Sequence, residues 1–228
     1  MAGQTLPVLG FDTETTGTSV ARDRIVTAAL VRRDASGELW ERTWLIAPDI
    51  DIPPQASAVH GITTEHARAN GLPAAQALDE IAGVIAQHSH YPIVVFNAGF
   101  DLPILDSELA RHSLPTLPDR LGRPVRPVLD PLVLDRATDR WRKGKRTLEA
   151  MVDHYGVAVG GSLHDALEDV RSTIGVLDAI LARNPRLAAG ELDQLHDWQA
   201  AKHREWAKDF NRWLESKGRT PDVRPDWP

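Results

Sequence analysis

Residues 6–17 read LPVLGFDTETTG, and this stretch decides the fold class. Its apolar first half has the composition of a buried β-strand, and the pattern runs into Asp12 and Glu14. Because side chains alternate between the two faces of a strand, these two carboxylates point the same way. At about 5 Å and an effective dielectric constant near 20, their repulsion costs roughly 3 kcal/mol. Solvation at a strand end explains a lone pair of this kind, whereas additional carboxylates nearby would require a cation or raised pKa values.

The rest of the main segment alternates between strand and helix patterns. Strand patterns occupy residues 25–31, 39–46, 92–96 and 128–130, and helical patterns occupy residues 73–85, 100–112, 147–155 and 164–183. The turn from Asp34 to Gly37 predicts a hairpin between the second and third strands. Three strands followed by alternating helices and strands predict an α/β fold with a mixed β-sheet flanked by helices.

The chain continues past Asn184 and Pro185, which end the last of these helical patterns. We therefore divide it into a main domain, residues 1–185, and an amphipathic helical extension with a tail, residues 186–228. Large apolar residues recur at helical spacing in the extension: Leu192, Leu195, Trp198, Trp206, Phe210, Trp213 and Leu214. Such a stripe must be covered by the chain's own domain, by a second copy in a homodimer, or by a partner protein.

Composition excludes several classes of protein. The 228 residues contain no cysteine, which excludes disulfides and cysteine-ligated metal centres. No apolar stretch approaches the length of a membrane span and the N-terminus has no signal pattern, so we expect a soluble, cytoplasmic protein without a membrane partner. The formal net charge of −6 argues against a protein that coats long nucleic acid. A protein that grips one strand end can instead take positive charge from bound cations.

Four stretches resemble, in the right order, the motifs of the DnaQ-like (DEDDh) 3′→5′ exonuclease family, which includes the epsilon subunit of bacterial DNA polymerase III. FDTETTG at residues 11–17 is similar to the first motif, NAGFD at 97–101 to the second, and HDALED at 164–169 to the third. PQASAVHGI at residues 54–62 is similar to the family's substrate-binding HGI loop. A histidine five residues before the last aspartate, here His164 before Asp169, marks the DEDDh branch.

The resemblance implies an RNase H-like fold, two Mg²⁺ or Mn²⁺ ions, and removal of nucleotides from the 3′ end of a nucleic acid. The implied metal ligands and catalytic carboxylates are Asp12, Glu14, Asp101 and Asp169. Asp12 would bridge both ions, while Glu14 and Asp169 would complete the coordination of one. Asp101 would hold the other ion, partly through water. His164 would be the general base that activates the attacking water.

The resemblance also implies contacts to the terminal nucleotide from Thr15, Thr16, Gln55, His60 and Asn97. Gln55 stands where the epsilon subunit has a glutamate that touches the nucleotide. This departure concerns that single contact and leaves the implied metal ligands unchanged.

Elementary chemistry favours the same assignment. Carboxylate oxygens in a chain without cysteine suit Mg²⁺ or Mn²⁺. Two such ions about 4 Å apart can serve both the attacking and the leaving oxygen of a phosphodiester. An imidazole that titrates near pH 6.5 can accept a proton at neutral pH. The capping patterns at Ser162 and Asp165 place His164 at the start of a helix and Asp169 on its second turn.

We therefore predict a 3′→5′ exonuclease that releases nucleoside 5′-monophosphates from single-stranded or frayed DNA ends, in proofreading or repair. An RNA exonuclease similar to oligoribonuclease or RNase T is the alternative, because the sequence does not reveal contacts to the 2′ position. A non-catalytic module that binds a polymerase is a third interpretation, although such a module has no need of the acidic set. A polymerase subunit would then be the partner of the helical extension.

A basic segment, RWRKGKR at residues 140–146, admits two interpretations. Its five basic residues around one tryptophan are typical of a phosphate-gripping loop with a base-stacking ring. The same composition is typical of a solvated loop. No motif accounts for Asp130 and Asp135, so we expect structural or helix-capping roles for them.

Overall fold

The computed structural model describes residues 5–161 and 165–228 of the chain. Within these residues the chain forms six strands and ten helices. The strands are β1 (Val8–Thr15), β2 (Ile25–Arg33), β3 (Leu39–Ala47), β4 (Leu72–Pro73), β5 (Ile93–Val94) and β6 (Val128–Leu129). The helices are α1 (Pro54–His60), α2 (Thr64–Asn70), α3 (Ala74–Gln87), α4 (Ala98–Arg111), α5 (Leu117–Leu121), α6 (Pro131–Thr138), α7 (Leu148–Tyr155), α8 (Ala166–Arg183), α9 (Pro185–Ala188) and α10 (Leu192–Ser216).

One mixed sheet carries the strands in the order β4-β3-β2-β1-β5-β6. The strands β1, β2 and β3 are antiparallel neighbours, whereas β5 and β6 run parallel to β1. The carboxyl ends of β1, β5 and β6 therefore meet at one edge of the sheet, which we call the carboxyl edge. Asp12 and Glu14 lie at this edge because both belong to the second half of β1.

Alternation along β1 divides the core into two layers. Phe11 packs in the layer that contains α3 and α4, whereas Val8 packs in the layer that contains α8. By the same alternation Asp12 and Glu14 face the α8 layer, and Thr13 faces the α4 layer. The two faces of a single strand thus present different groups to the carboxyl edge.

Gly10 determines how closely α8 approaches β1. A Cβ atom at this position would lie 2.4 Å from Val170 Cγ1 and 3.0 Å from Ile174 Cδ1. Any larger residue would therefore push α8 away from the strand. The close approach carries Asp169, which precedes Val170 on α8, toward the carboxylates of β1.

The helix α10 covers the free edge of β6. His196 Nδ1 accepts a hydrogen bond from the Val128 backbone nitrogen at 3.1 Å. Gln199 accepts one from the Asp130 backbone nitrogen at 2.9 Å and donates one to the Val128 carbonyl at 3.0 Å. Both side chains are buried, and they bond the edge backbone groups of β6 and of Asp130 that a neighbouring strand would otherwise pair. The first half of the amphipathic extension is therefore covered by the chain's own domain.

The α/β fold with a mixed sheet, flanking helices and a C-terminal helical extension is confirmed, as is the hairpin of β2 and β3. Residues 54–62, expected as a loop, instead contain the short helix α1. Pro54 supplies a helical φ at the first position, and Gly61 ends the helix with a φ of 75°. Among the described residues, none of the helices combines the length and the hydropathy that crossing a bilayer requires.

Candidate active site

Three of the predicted metal ligands lie together at the carboxyl edge. Asp12 and Glu14 come from β1, and Asp169 comes from the first turns of α8. One carboxylate oxygen from each residue lies within 4.8 Å of the oxygens of the other two. The spacing along the strand and the approach of α8 at Gly10 together produce this three-carboxylate cluster.

The fourth predicted ligand, Asp101, reaches the site from the opposite face of β1. Its Oδ1 accepts hydrogen bonds from the Thr13 backbone nitrogen at 3.1 Å and from the Thr13 hydroxyl at 2.6 Å. Asp101 does not belong to the three-carboxylate cluster, although its charge raises the pKa of Asp12. Thr13 thus engages one carboxylate oxygen of Asp101 with both of its hydrogen-bond donors.

The carboxylates at this edge resist ionisation. Burial, followed by the charges of Asp101, Asp169 and Glu14, raises the pKa of Asp12 well above its usual range. Burial raises the pKa of Glu14 to about 7, with further contributions from Asp169, Asp101 and Asp165. Burial also raises the pKa of Asp101 to about 7, although the Thr13 hydrogen bonds oppose that shift. Bound cations would offset this repulsion, and hard carboxylate oxygens are the donors that divalent cations prefer. The residues present therefore fit a divalent metal centre.

His164, the predicted general base, lies outside the described residues, as do Ser162 and Leu163. The following residue, Asp165, caps α8 by accepting a hydrogen bond from the Leu167 backbone nitrogen at 2.9 Å. The predicted cap at Asp165 is confirmed. The Asp165 carboxylate also lies close enough to Glu14 to raise its pKa.

An open cleft of about 510 Å³ borders Glu14, and His60, Ile62 and Asp165 are among its lining residues. The Ile62 backbone nitrogen donates to His60 Nδ1 at 3.1 Å, so the proton of the neutral ring lies on Nε2. This Nε2 atom is buried and makes no hydrogen bond of standard geometry with the described residues, although the Thr15 backbone lies close enough to raise the pKa of the ring slightly against the effect of burial. Burial lowers the pKa of His60, which keeps the ring neutral near pH 7. His60 therefore lines the cleft as a neutral ring whose Nε2 atom is shielded from solvent.

The hydroxyl groups of Thr15 and Thr16, two further predicted nucleotide contacts, are both bonded within the turn that follows β1. The Thr15 hydroxyl donates to the Gly17 carbonyl at 2.7 Å. Thr16 is buried, and its hydroxyl bonds both Asp23 and the Arg24 backbone nitrogen, so that hydroxyl serves the turn after β1. The Thr16 backbone nitrogen is engaged as well, because it donates to the Arg24 carbonyl at 2.9 Å.

Among the described residues, the side-chain amides of Gln55 and Asn97 have no hydrogen-bond partner. Gln55 is exposed on the first turn of α1. Asn97 precedes α4 in the left-handed conformation, with φ 62° and ψ 50°, and its side chain makes no capping bond. Asparagine tolerates this conformation better than most residues. The Asn97 amide is therefore available to a molecule at the carboxyl edge.

Two residues that the sequence did not assign to the site support it. Thr13 holds Asp101, and no local pattern indicates that contact because the two residues are far apart in the chain. Asp130 was expected to be structural or capping, and it caps α6 through the Leu132 backbone nitrogen at 2.9 Å. It also accepts from the backbone nitrogens of Asn97 at 3.1 Å and Ala98 at 2.9 Å, which positions the start of α4.

The basic segment 140–146 has a mixed role. Arg142 and Arg146 bond the fully buried Asp135, which also accepts from the Tyr155 hydroxyl at 2.8 Å. This network anchors the segment and confirms the structural role expected of Asp135. Trp141, by contrast, is 84% exposed, so its ring contributes nothing to the core.

Comparison with known proteins agrees with this geometry. Residues 9–177 match the RNase T family model, which describes exonucleases. A protein of Escherichia phage 186, described as uncharacterized exonuclease CP81, is 30% identical over 75% of this chain and 86% of the phage protein. The DNA polymerase III subunit epsilon of Treponema pallidum is 34% identical over 44% of this chain and 45% of its own length.

Among solved structures, E. coli exonuclease I in complex with a dA16 oligonucleotide superposes with a TM-score of 0.67 at 24% identity, covering 87% of this chain. This chain spans only 43% of exonuclease I, so that likeness concerns the fold. The family match covers most of the chain, and the phage relative is matched over most of its length. The chain therefore belongs to the exonuclease family, in agreement with its DnaQ-like motifs and its RNase H-like fold.

Proposed function

We propose that this protein is a metal-dependent 3′→5′ exonuclease that releases nucleoside 5′-monophosphates from single-stranded or frayed DNA ends. The observation that carries the proposal is the three-carboxylate cluster of Asp12, Glu14 and Asp169 beside the cleft that His60 lines. A pure binding module would retain no such arrangement, because the clustered charges destabilise the fold unless cations or protons offset them.

The carboxylates would hold two Mg²⁺ or Mn²⁺ ions. Asp12 would help to hold both ions. Glu14 and Asp169 would be further ligands of one ion, and Asp101 would be a ligand of the other. When bound, such ions activate water and stabilise the charge that develops on the phosphate and on the leaving oxygen.

Side chains around the ions would position the terminal nucleotide and move the proton. His164 would accept a proton from the attacking water, because a neutral imidazole is a suitable base near pH 7. His60 would contact the terminal nucleotide from the wall of the cleft. Thr15, Thr16, Gln55 and Asn97 would complete the nucleotide contacts.

The proposed substrate is DNA. Two of the similar solved structures are exonuclease I bound to dA16 and to dT13 oligonucleotides, and two similar curated proteins are polymerase III epsilon or epsilon-like proteins. The division after residue 185 into a catalytic domain and a helical extension belongs to the same proposal. It is supported by a family match that ends at residue 177. RNA remains the competing substrate, since the choice depends on contacts to the 2′ position.

Digestion of 5′-labelled oligonucleotides tests polarity, substrate and metal together. Single-stranded DNA, duplex DNA and RNA of matched sequence are incubated with Mg²⁺, with Mn²⁺ or with a chelator. We expect a ladder that shortens from the 3′ end of single-stranded DNA, no reaction with chelator, and protection by a 3′-phosphate but not by a 5′-phosphate. Asp12→Asn provides the inactive control for a contaminating nuclease. Cleavage of circular single strands would show an endonuclease, and faster digestion of RNA would reassign the substrate.

A further inference from the structure

A second concave surface lies between α6 and α10, away from the cleft beside Glu14. This groove has a volume of about 380 Å³, and five cationic side chains line it against two carboxylates. The cations are Arg136, Arg140, Lys202, Lys208 and Arg212. In a chain whose formal net charge is −6, such a concentration of positive charge marks a surface suited to an anionic ligand.

Contacts between α6 and α10 show where this groove leads. Asp130 at the start of α6 meets Gln199, and Arg136 further along α6 stacks on Trp206, with its guanidinium carbon 3.7 Å from the ring centroid. Arg140, just past the end of α6, pairs with Asp209 at 3.1 Å. Because the contacts advance along both helices in the same order, α6 and α10 leave the carboxyl end of β6 side by side.

The groove therefore begins close to the catalytic carboxylates. Asp130, which caps α6, accepts hydrogen bonds from the backbone nitrogens of Asn97 at 3.1 Å and Ala98 at 2.9 Å, at the start of the helix that carries Asp101. Trp206 lies seven residues beyond Gln199 on α10, which corresponds to about 10 Å along the helix axis. The first lining residue of the groove on α6 is Val133, three residues after Asp130.

The groove offers both charge and aromatic rings. Among the described residues, neither Arg136 nor Lys208 has a carboxylate within ion-pairing distance. Trp206 also stacks on Phe210, with ring centroids 5.2 Å apart. Next to Arg140, which lines the groove, the ring of Trp141 is 84% exposed, and the Arg140 guanidinium carbon lies 5.3 Å from its centroid. Trp206 is therefore packed between protein side chains, and Trp141 is the accessible ring beside these cations. Cationic side chains next to an accessible ring are features that bind single strands without sequence preference.

We propose that the groove between α6 and α10, together with Trp141, is a second binding surface for single-stranded nucleic acid that holds the strand upstream of its terminal nucleotide. The inference rests on the proposed exonuclease function. Phosphates would lie along Arg136 and Lys208, and a base would stack on Trp141. The surface would tether a substrate that extends past the metal site and leave the hydrolysis of very short substrates unaffected.

The test compares Trp141→Ala and Lys208→Ala with Arg204→Ala. Arg204 is an exposed cation of α10 that does not line the groove, so it controls for the loss of one charge. All proteins carry Asp12→Asn to block hydrolysis, and melting temperatures verify folding. Fluorescence anisotropy measures binding of oligothymidylates of about 4 and about 16 nucleotides, lengths that bracket common single-strand site sizes.

We expect Trp141→Ala to weaken binding of the longer oligonucleotide by roughly fivefold to 100-fold, the effect of losing one stacking ring. Lys208→Ala should lower the slope of log affinity against log salt by about 0.7, the value for one single-strand phosphate contact. Binding of the shorter oligonucleotide and all properties of Arg204→Ala should remain unchanged.

Three outcomes contradict the inference. In the first, both variants bind the longer oligonucleotide unchanged while the wild type still digests DNA. The groove then does not contact the strand, but the proposed function is unaffected. Equal losses for both lengths place the effect in the metal site. If the variants lose binding of an acidic peptide but still bind DNA like the unsubstituted groove, the groove is a peptide site instead. If the wild type neither binds nor digests DNA, the proposed function itself is wrong.

Discussion

Thr13 donates two hydrogen bonds to a single carboxylate oxygen of Asp101, from its backbone nitrogen at 3.1 Å and from its hydroxyl at 2.6 Å. Thr13 lies between Asp12 and Glu14 on β1 but faces the opposite side of the sheet. The strand that presents two carboxylates to one side of the site thus orients a third carboxylate on the other side.

Thr13→Val removes the hydroxyl donor and keeps the shape of the side chain. A hydrogen bond to a charged group contributes about 1.5–3 kcal/mol. Without the hydroxyl, the ionised form of Asp101 should be less stable and its carboxylate should no longer be held in one orientation. We expect the metal concentration for half-maximal activity to rise by about tenfold or more. Thr13→Ser, which keeps the hydroxyl, should restore most of the affinity. A metal titration of both variants that matches the wild type would show that Asp101 needs no such support.

Asp12→Asn should nearly abolish hydrolysis while preserving the fold. Cations at such a site stabilise the transition state by several kcal/mol, so turnover should fall by more than about 10²-fold. The metal-free variant should melt at the same temperature as the wild type or higher, because one of the mutually repelling carboxylates is gone. Calorimetry with and without Mn²⁺ measures this. Asp51→Asn, at an exposed aspartate of a surface ion pair, provides the control. Near-wild-type turnover in Asp12→Asn would refute the metal-site assignment.

The stability of the metal-free protein should fall as the pH rises from about 4.5 to about 7.5. The pKa of Glu14 is raised from 4.5 to about 7, so its contribution to stability is complete below the unfolded pKa and is lost as the pH passes the folded pKa. Urea midpoints in the presence of a chelator measure the trend, and saturating Mg²⁺ should reduce it. Burial lowers the pKa of His60 and His196, which acts in the opposite sense. Glu14→Gln isolates the carboxylate, and its pH dependence should be flatter than that of the wild type.

His164→Ala should lower turnover by roughly 10²–10⁴-fold, the usual contribution of a general base. Metal affinity should be largely retained because the four carboxylates remain. The wild-type rate should increase with pH through a value near 6.5, the ordinary pKa of histidine, before local shifts. Stopped assays across this range compare the two proteins. A variant that keeps the wild-type rate and profile would assign the proton transfer to another group.

Gln199→Ala should destabilise the protein without touching the metal ligands. The substitution leaves the Asp130 nitrogen without its Gln199 acceptor and the Val128 carbonyl without its Gln199 donor. Unpaired buried polar groups cost about 1–3 kcal/mol each, which should appear as a lower urea midpoint. Gln194→Ala, at an exposed position of the same helix, is the matched control. Removal of all residues from Gly190 onward should have a larger effect and reduce solubility. If Gln199→Ala and the truncated protein both keep the wild-type urea midpoint, α10 contributes little to the stability of the domain.

Several features of the protein follow from local sequence alone. The alternation of β1 places Asp12 and Glu14 on one face, and helical periodicity predicts α8 and α10. The motif stretches identify the family because residue type and order are properties of the chain itself. Helix α1 was predicted as a loop, since seven residues with four small or β-branched side chains give little periodicity and Pro54 and Gly61 set its ends.

Tertiary structure decided how these pieces meet. Asp101 bonds Thr13 because α4, which carries Asp101, packs on the face of the sheet opposite to α8. The Thr13–Asp101 contact joins residues 88 positions apart in the chain. The pairing of Gln199 with Asp130, 69 positions apart, likewise closes the edge of β6 and directs α10 past the carboxyl edge. Local propensity carries no information about such contacts, because their free energy is gained only when the sheet has brought both partners together.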